Sequence, residues 1–216
     1  MEELVSDMFI SDMKEKLDPA QFGNHKHVSV QHYLIRLLHR ILTSVDNNSS
    51  GEIKAALLLF IDFKQAYSWQ CHTLSVQSFI KNGVRPALTP LLISYFENRE
   101  MRVKWHNKLS TTRTLPGSGA MGSTIGIWEF LSQTNNNSDF IPVEDKYKFV
   151  DDLTALEIIN MISIGLSSYN FKQQVPSDVP SHGQVIPNSH LLSQQYLQKI
   201  DKWATNNKMM VSKHIY

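Results

Sequence analysis

Two adjacent carboxylates, Asp151 and Asp152, stand between short apolar runs in Tyr147-Lys148-Phe149-Val150-Asp151-Asp152-Leu153-Thr154-Ala155-Leu156. This stretch constrains the fold more than any other. Its pattern predicts a tight β-hairpin: Phe149 and Val150 end the incoming strand, Leu153, Ala155 and Leu156 belong to the outgoing one, and the acids occupy the tip, where turns favour such side chains. Two carboxylates about 4 Å apart repel by roughly 4 kcal/mol at the effective dielectric of a protein surface. A partly buried pair therefore needs a cation or a proton. A magnesium site answers that need; an exposed hairpin turn is the other reading, and for the dipeptide alone it suffices.

A second acid in a similar setting changes the balance. Ala55-Ala56-Leu57-Leu58-Leu59-Phe60-Ile61 is an apolar run that stops on Asp62, as a strand buried on both faces would. If the two strands are neighbours, Asp62, Asp151 and Asp152 face one another. Clusters of this kind bind hard cations through oxygen, and a pair of ions can clamp the attacking and leaving oxygens of a phosphoryl transfer.

The chain of 216 residues is long enough to bury a full core, most simply as one domain. With a net charge of +1, a nucleic-acid surface must be a local patch rather than a global field. The single cysteine, Cys71, excludes an internal disulfide and a multi-cysteine zinc site, and the histidines form no metalloprotease pattern. The start, Met1-Glu2-Glu3, does not read as a signal peptide, and Ala55 to Ile61 is too short to span a bilayer. A soluble intracellular protein, cytoplasmic or nuclear, with no membrane partner, is expected.

Apolar periodicity predicts helices over Glu2 to Leu17 and from Ser29 to Val45, the second with Val30, Tyr33, Leu34, Leu37, Leu38, Ile41 and Val45 inward. Further helices are expected at Leu74 to Asn82, after Pro86, over Glu157 to Tyr169, and from Ser189 with Leu192, Tyr196, Ile200 and Trp203 inward. Gln133 to Asp139 reads as a polar loop, Val175 to Asn188 as an irregular excursion, and Asn206 to Val211 as a turn into a strand. Arg102, Lys104, His106 and Lys108 alternate with Met101, Val103, Trp105 and Leu109, which predicts a strand with one basic and one apolar face. Such a stripe can track a phosphate backbone, or it can guard an edge strand against aggregation. Gly117, Gly119 and Gly122 form a literal G-x-G-x-x-G, but Pro116 precedes it, and a dinucleotide site would need it after the first strand of a βαβ unit.

Phe149-Val150-Asp151-Asp152, preceded by Phe60-Ile61-Asp62-Phe63-Lys64-Gln65-Ala66-Tyr67, resembles the two metal-binding motifs of reverse transcriptases, specifically those of non-LTR retrotransposons. The resemblance runs from about Leu4 to Lys213, and its specificity lies in the co-occurrence of several motifs. It implies an α+β fold: a palm whose antiparallel sheet carries the three acids and is backed by helices, with partial fingers in 1–50, palm in 51–216 and the thumb absent. The implied reaction is RNA-templated DNA synthesis, with an RNA template, a DNA primer and deoxynucleoside triphosphates as partners. Asp62 and Asp151 would hold two Mg2+ ions, for which Mn2+ may substitute, and Asp152 would support them. Tyr67 would gate the sugar, and Gln21, in Gln21-Phe22-Gly23, is similar to a template-contacting segment of the family. Arg102, Lys104 and Lys108 are the nucleic-acid candidates. Where the family carries Pro-Gln-Gly to position template and nucleotide, this chain has Ala120-Met121-Gly122; Gly122 is retained, and Met121 cannot make the glutamine's hydrogen bonds. Two other readings stay open: a catalytically inactive retroelement remnant that still binds nucleic acid, and an unrelated dinucleotide-binding enzyme using the Gly117 to Gly122 loop.

Overall fold

A computed structural model describes residues 2–46, 54–115, 117–119, 122–160 and 192–212. In chain order the elements are α1 (Glu2–Met13), α2 (Val30–Asp46), β1 (Lys54–Ile61), α3 (His72–Lys81), a 3-10 turn at Pro86–Leu88 and α4 (Thr89–Phe96). Four two-residue strands follow, β2 (Glu100–Met101), β3 (Lys104–Trp105), β4 (Lys108–Leu109) and β5 (Arg113–Thr114), and then α5 (Thr124–Thr134). After a 3-10 turn at Val143–Asp145 come β6 (Lys146–Phe149), β7 (Asp152–Asn160) and α6 (Leu192–Asn206). The fold is α+β, and among the described residues every strand ladder is antiparallel.

The chain forms two interleaved compact units: Met1–Pro19, Phe63–Ser138 and Asp201–Met210 make the first, and Ala20–Asp62, Asp139–Ile200 and Val211–Tyr216 the second. The second unit is built on the sheet β1-β7-β6. Apolar residues of α2 and the sheet meet there: Leu37, Tyr147 and Leu156 are buried, and Phe22, Tyr33, Ile41, Ala56, Leu58 and Ile158 pack around them. The Tyr33 hydroxyl and Thr154 Oγ1 lie 2.6 Å apart, so the polar end of the ring is satisfied where its body is buried. Backbone bonds from Phe22 N to the Lys148 carbonyl and from Lys148 N to the Ala20 carbonyl lay residues 20–22 beside β6 in parallel.

The first unit is helical, apart from the short ladders between α4 and α5. Phe9 of α1 and Phe79 of α3 have ring centroids 5.1 Å apart, and Leu92, Phe96, Trp128, Phe130 and Leu131 are buried. Ser123 caps α5 by accepting from Gly126 N, the pattern that a serine before an apolar run predicts. Inside this unit Glu129 is fully buried and accepts a 2.8 Å hydrogen bond from Ser75 Oγ.

Several expectations need correction. Strand β1 is covered unevenly: Ala56 and Leu58 pack against the Leu37, Tyr147 and Leu156 cluster on one face and Leu59 and Ile61 are buried on the other, but Phe60, beside the acid end, is 47% exposed. The helix expected from Glu157 does not start there, because residues up to Asn160 continue β7 opposite β1; its remainder, and the excursion at Val175 to Asn188, lie outside the described residues. Helix α1 ends at Met13, short of Leu17. In α2 the inward face is narrower than expected, with Val30, Leu34 and Leu38 exposed; in α6 Tyr196 and Ile200 are buried but Leu192 is exposed. The segment from Gln133 is not a solvated loop, since Gln133 and Thr134 finish α5 and, like Asn137 and Ser138, are buried. Val211 forms an isolated bridge rather than a strand.

Candidate metal centre

The geometry of the acids follows from register. Strands β6 and β7 pair from Lys146↔Ala155 to Phe149↔Asp152, which leaves Val150 and Asp151 as the two-residue turn between them. Strand β1 runs antiparallel to β7 on its other side, and the last pair is Ile61↔Leu153. One step further along each strand stand Asp62 and Asp152. The turn acids and Asp62 therefore share one end of the sheet, from positions far apart in sequence.

Electrostatics express that proximity. Partial burial pushes the Asp152 carboxyl above its ordinary value of 3.8, and the neighbouring charges of Asp151 and Asp62 raise it further. Like charges gathered at one edge favour either a retained proton or a bound cation. The same charge reaches Tyr33, whose hydroxyl is raised first by burial, against the Thr154 hydrogen bond, and then by Asp152. Among the described residues no group of three acidic, imidazole or thiol side chains is placed so that it could hold a metal ion, the three acids included. Asp62 and Asp152 stand open to solvent and Asp151 is half-buried. An all-oxygen, like-charged donor set of this kind fits a hard divalent ion.

The turn is held by a residue whose role the sequence did not disclose. Val150 sits at φ 58°, a left-handed conformation costly for a β-branched side chain. The Gln21 carboxamide grips it at both ends: Val150 N donates to Oε1 at 2.9 Å, and Nε2 donates to the Val150 carbonyl at 3.2 Å. Gly23 N also donates to Oε1, at 2.9 Å. Gln21 is 8% exposed, and its amide is committed to the chain's own backbone. Gly23 completes the fit, since a Cβ there would lie 2.5 Å from Val150 N.

Scanned against protein-family models and compared with curated proteins, the chain matches none.

The remaining candidates lie in the first unit. Tyr67 is half-buried, with its ring stacked on Phe130 at 4.7 Å and 24°. The glycine loop lies against the turn that follows Tyr67: Gly119 N donates to the Tyr67 carbonyl at 2.6 Å and Ser118 N to the Gln70 carbonyl at 2.8 Å. Close approach explains two of the glycines, because a Cβ on Gly117 would meet the Gln70 carbonyl oxygen at 2.6 Å and one on Gly119 would meet Gln70 Oε1 at 1.9 Å. Gly122 is required instead by its φ of 85°. Met121 lies outside the described residues. Gln70, unremarked in the sequence, is 1% exposed, and its amide has no hydrogen-bond partner among the described residues.

The basic stripe is not one strand. Lys104↔Leu109 and Trp105↔Lys108 pair across a turn, and Glu100↔Thr114 and Met101↔Arg113 close the stem. Directly opposed residues share a face, so each face of the outer ladder carries one cation and one apolar side chain rather than separating them. Every residue from Glu100 to Thr111 is exposed.

Proposed function

We propose that the chain is a reverse-transcriptase palm of the non-LTR retrotransposon type, and that its chemistry is RNA-templated addition of deoxynucleotides to a DNA primer. The observation that carries this reading is the convergence of Asp62 with the Asp151-Asp152 turn at one end of an antiparallel sheet, with Asp152 raised by both neighbours. When bound, two Mg2+ ions, or Mn2+ in their place, supply the Lewis acidity that activates a primer 3′-hydroxyl and neutralises a triphosphate. Asp62 and Asp151 would hold the ions and Asp152 would share their charge. Gln21 keeps the turn, and with it the two acids, in register. Tyr67 is the candidate sugar gate, and its ring is fixed against Phe130.

Met121, in place of the glutamine that resembling enzymes use, favours a second reading: a palm that binds nucleic acid and polymerises weakly or not at all. The dinucleotide reading gains no support, because β5 before the glycine loop is a two-residue antiparallel strand and not the opening of a βαβ unit. Among the described residues no helix is long and apolar enough to cross a membrane.

Primer extension on an RNA template tests the proposal, with Mg2+ or Mn2+, deoxynucleotides and an Asp151→Ala control. Extension by the parent and none by the control is the expected result. A folded parent that extends no primer with either metal contradicts the polymerase and leaves the silent palm.

A further inference from the structure

We propose that the hairpin from Glu100 to Thr114 is a single-strand binding arm, in which Trp105 stacks on an unpaired base while Lys104, Lys108, Arg102 and Arg113 meet phosphates. Trp105 is 74% exposed, the most exposed of the large apolar side chains among the described residues. Burying an indole inside the fold is favourable, so one left in solvent at a hairpin tip is available to a partner. Its cross-strand neighbour is Lys108, on the same face. Its ring centroid lies 5.0 Å from that of His106, tilted by 38°. An aromatic plane with an ammonium beside it on one ladder face matches a base and its adjoining phosphate.

Charge singles out the same element. Arg102, Lys104, Lys108 and Arg113 stand against one acid, Glu100, in a chain whose whole net charge is +1. The stem is stiffened by its own bonds: Val103 N donates to Ser110 Oγ at 2.9 Å, Ser110 N to the Val103 carbonyl at 2.9 Å, and Arg102 Nε to Thr112 Oγ1. A lipid surface would also attract lysine and tryptophan, but insertion needs one apolar face opposite one polar face. Here Trp105 and Leu109 point to opposite faces, each beside a lysine, which suits a strand that threads past the arm and not a bilayer beneath it. A duplex keeps its bases stacked on one another, so the stacking partner is a single strand.

The inference rests on the polymerase reading for the class of its partner only; the arm's own composition supplies the rest. Anisotropy of a labelled oligo(U) or oligo(dT), beside a duplex of equal length and anionic vesicles, measures it on the full chain. Trp105→Ala should weaken single-strand binding by roughly 5- to 150-fold, with Trp105→Phe retaining most of it. Lys104→Gln and Lys108→Gln should each reduce the slope of log affinity against log salt by about 0.7. Leu4→Ala, a change at an exposed position of α1 outside both the hairpin and the acids, should bind as the parent does. Unchanged affinity in Trp105→Ala, equal affinity for the duplex, or binding to vesicles alone overturns the arm. Loss of extension in Asp151→Ala beside such a result would leave the polymerase standing without it.

Discussion

Gln21 shows how one amide can decide the geometry of two acids it does not touch. Its Oε1 and Nε2 take up the backbone N–H and carbonyl of Val150, which sits in a left-handed turn that a valine would leave if unheld. Gln21→Ala strands both groups, and the expected cost is about 1–3 kcal/mol in urea unfolding; a cost near zero would show that the turn holds itself. Asp152 titrates in the opposite sense to a salt-bridged aspartate. Its native carboxyl keeps a proton more tightly than the ordinary 3.8, so the native state is favoured while that group is protonated, and stability falls as pH rises from 3.8 through the raised native value. Asp152→Asn removes this penalty. Urea unfolding should find the variant more stable than the parent at pH 7, with the difference closing near pH 3; a variant less stable at pH 7 would mean that Asp152 is stabilised, not crowded, by its surroundings.

The elements show what was legible and what was not. The hairpin at Asp151-Asp152 and the strand ending at Asp62 could both be read, because each is written in local turn chemistry and apolar patterning. The inward face of α2 could not. Val30, Leu34, Leu37, Leu38 and Ile41 all keep helical spacing, and only the sheet beneath decides that Leu37 is covered while Leu34 and Leu38 are not. Leu37→Ala should cost about 2–5 kcal/mol, whereas Leu34→Gln and Leu38→Gln should stay within about 0.5 kcal/mol; thermal or urea unfolding separates them. The continuation of β7 through Asn160 was hidden for a related reason, since Glu157-Ile158-Ile159 suits either period and its pairing with β1 settles the matter. Gly23 is a close contact with Val150 N, and Gly23→Ala should destabilise by about 1–3 kcal/mol, with milder loss expected only if residues 20–22 can move away from β6.

At the scale of the molecule, the sequence separates the acids and the register of three strands brings them together. That they act as one site is the claim on which the polymerase reading depends. Titration of the chain with Mn2+, followed by loss of the free-ion electron paramagnetic resonance signal, tests it without requiring turnover. The account predicts binding by the parent that is lost or greatly weakened by Asp62→Ala and by Asp151→Ala separately, with both variants folded. Binding that depends on Asp151 but is indifferent to Asp62→Ala, or no binding by the folded parent at millimolar metal, would contradict a shared site at the end of the β1-β7-β6 sheet.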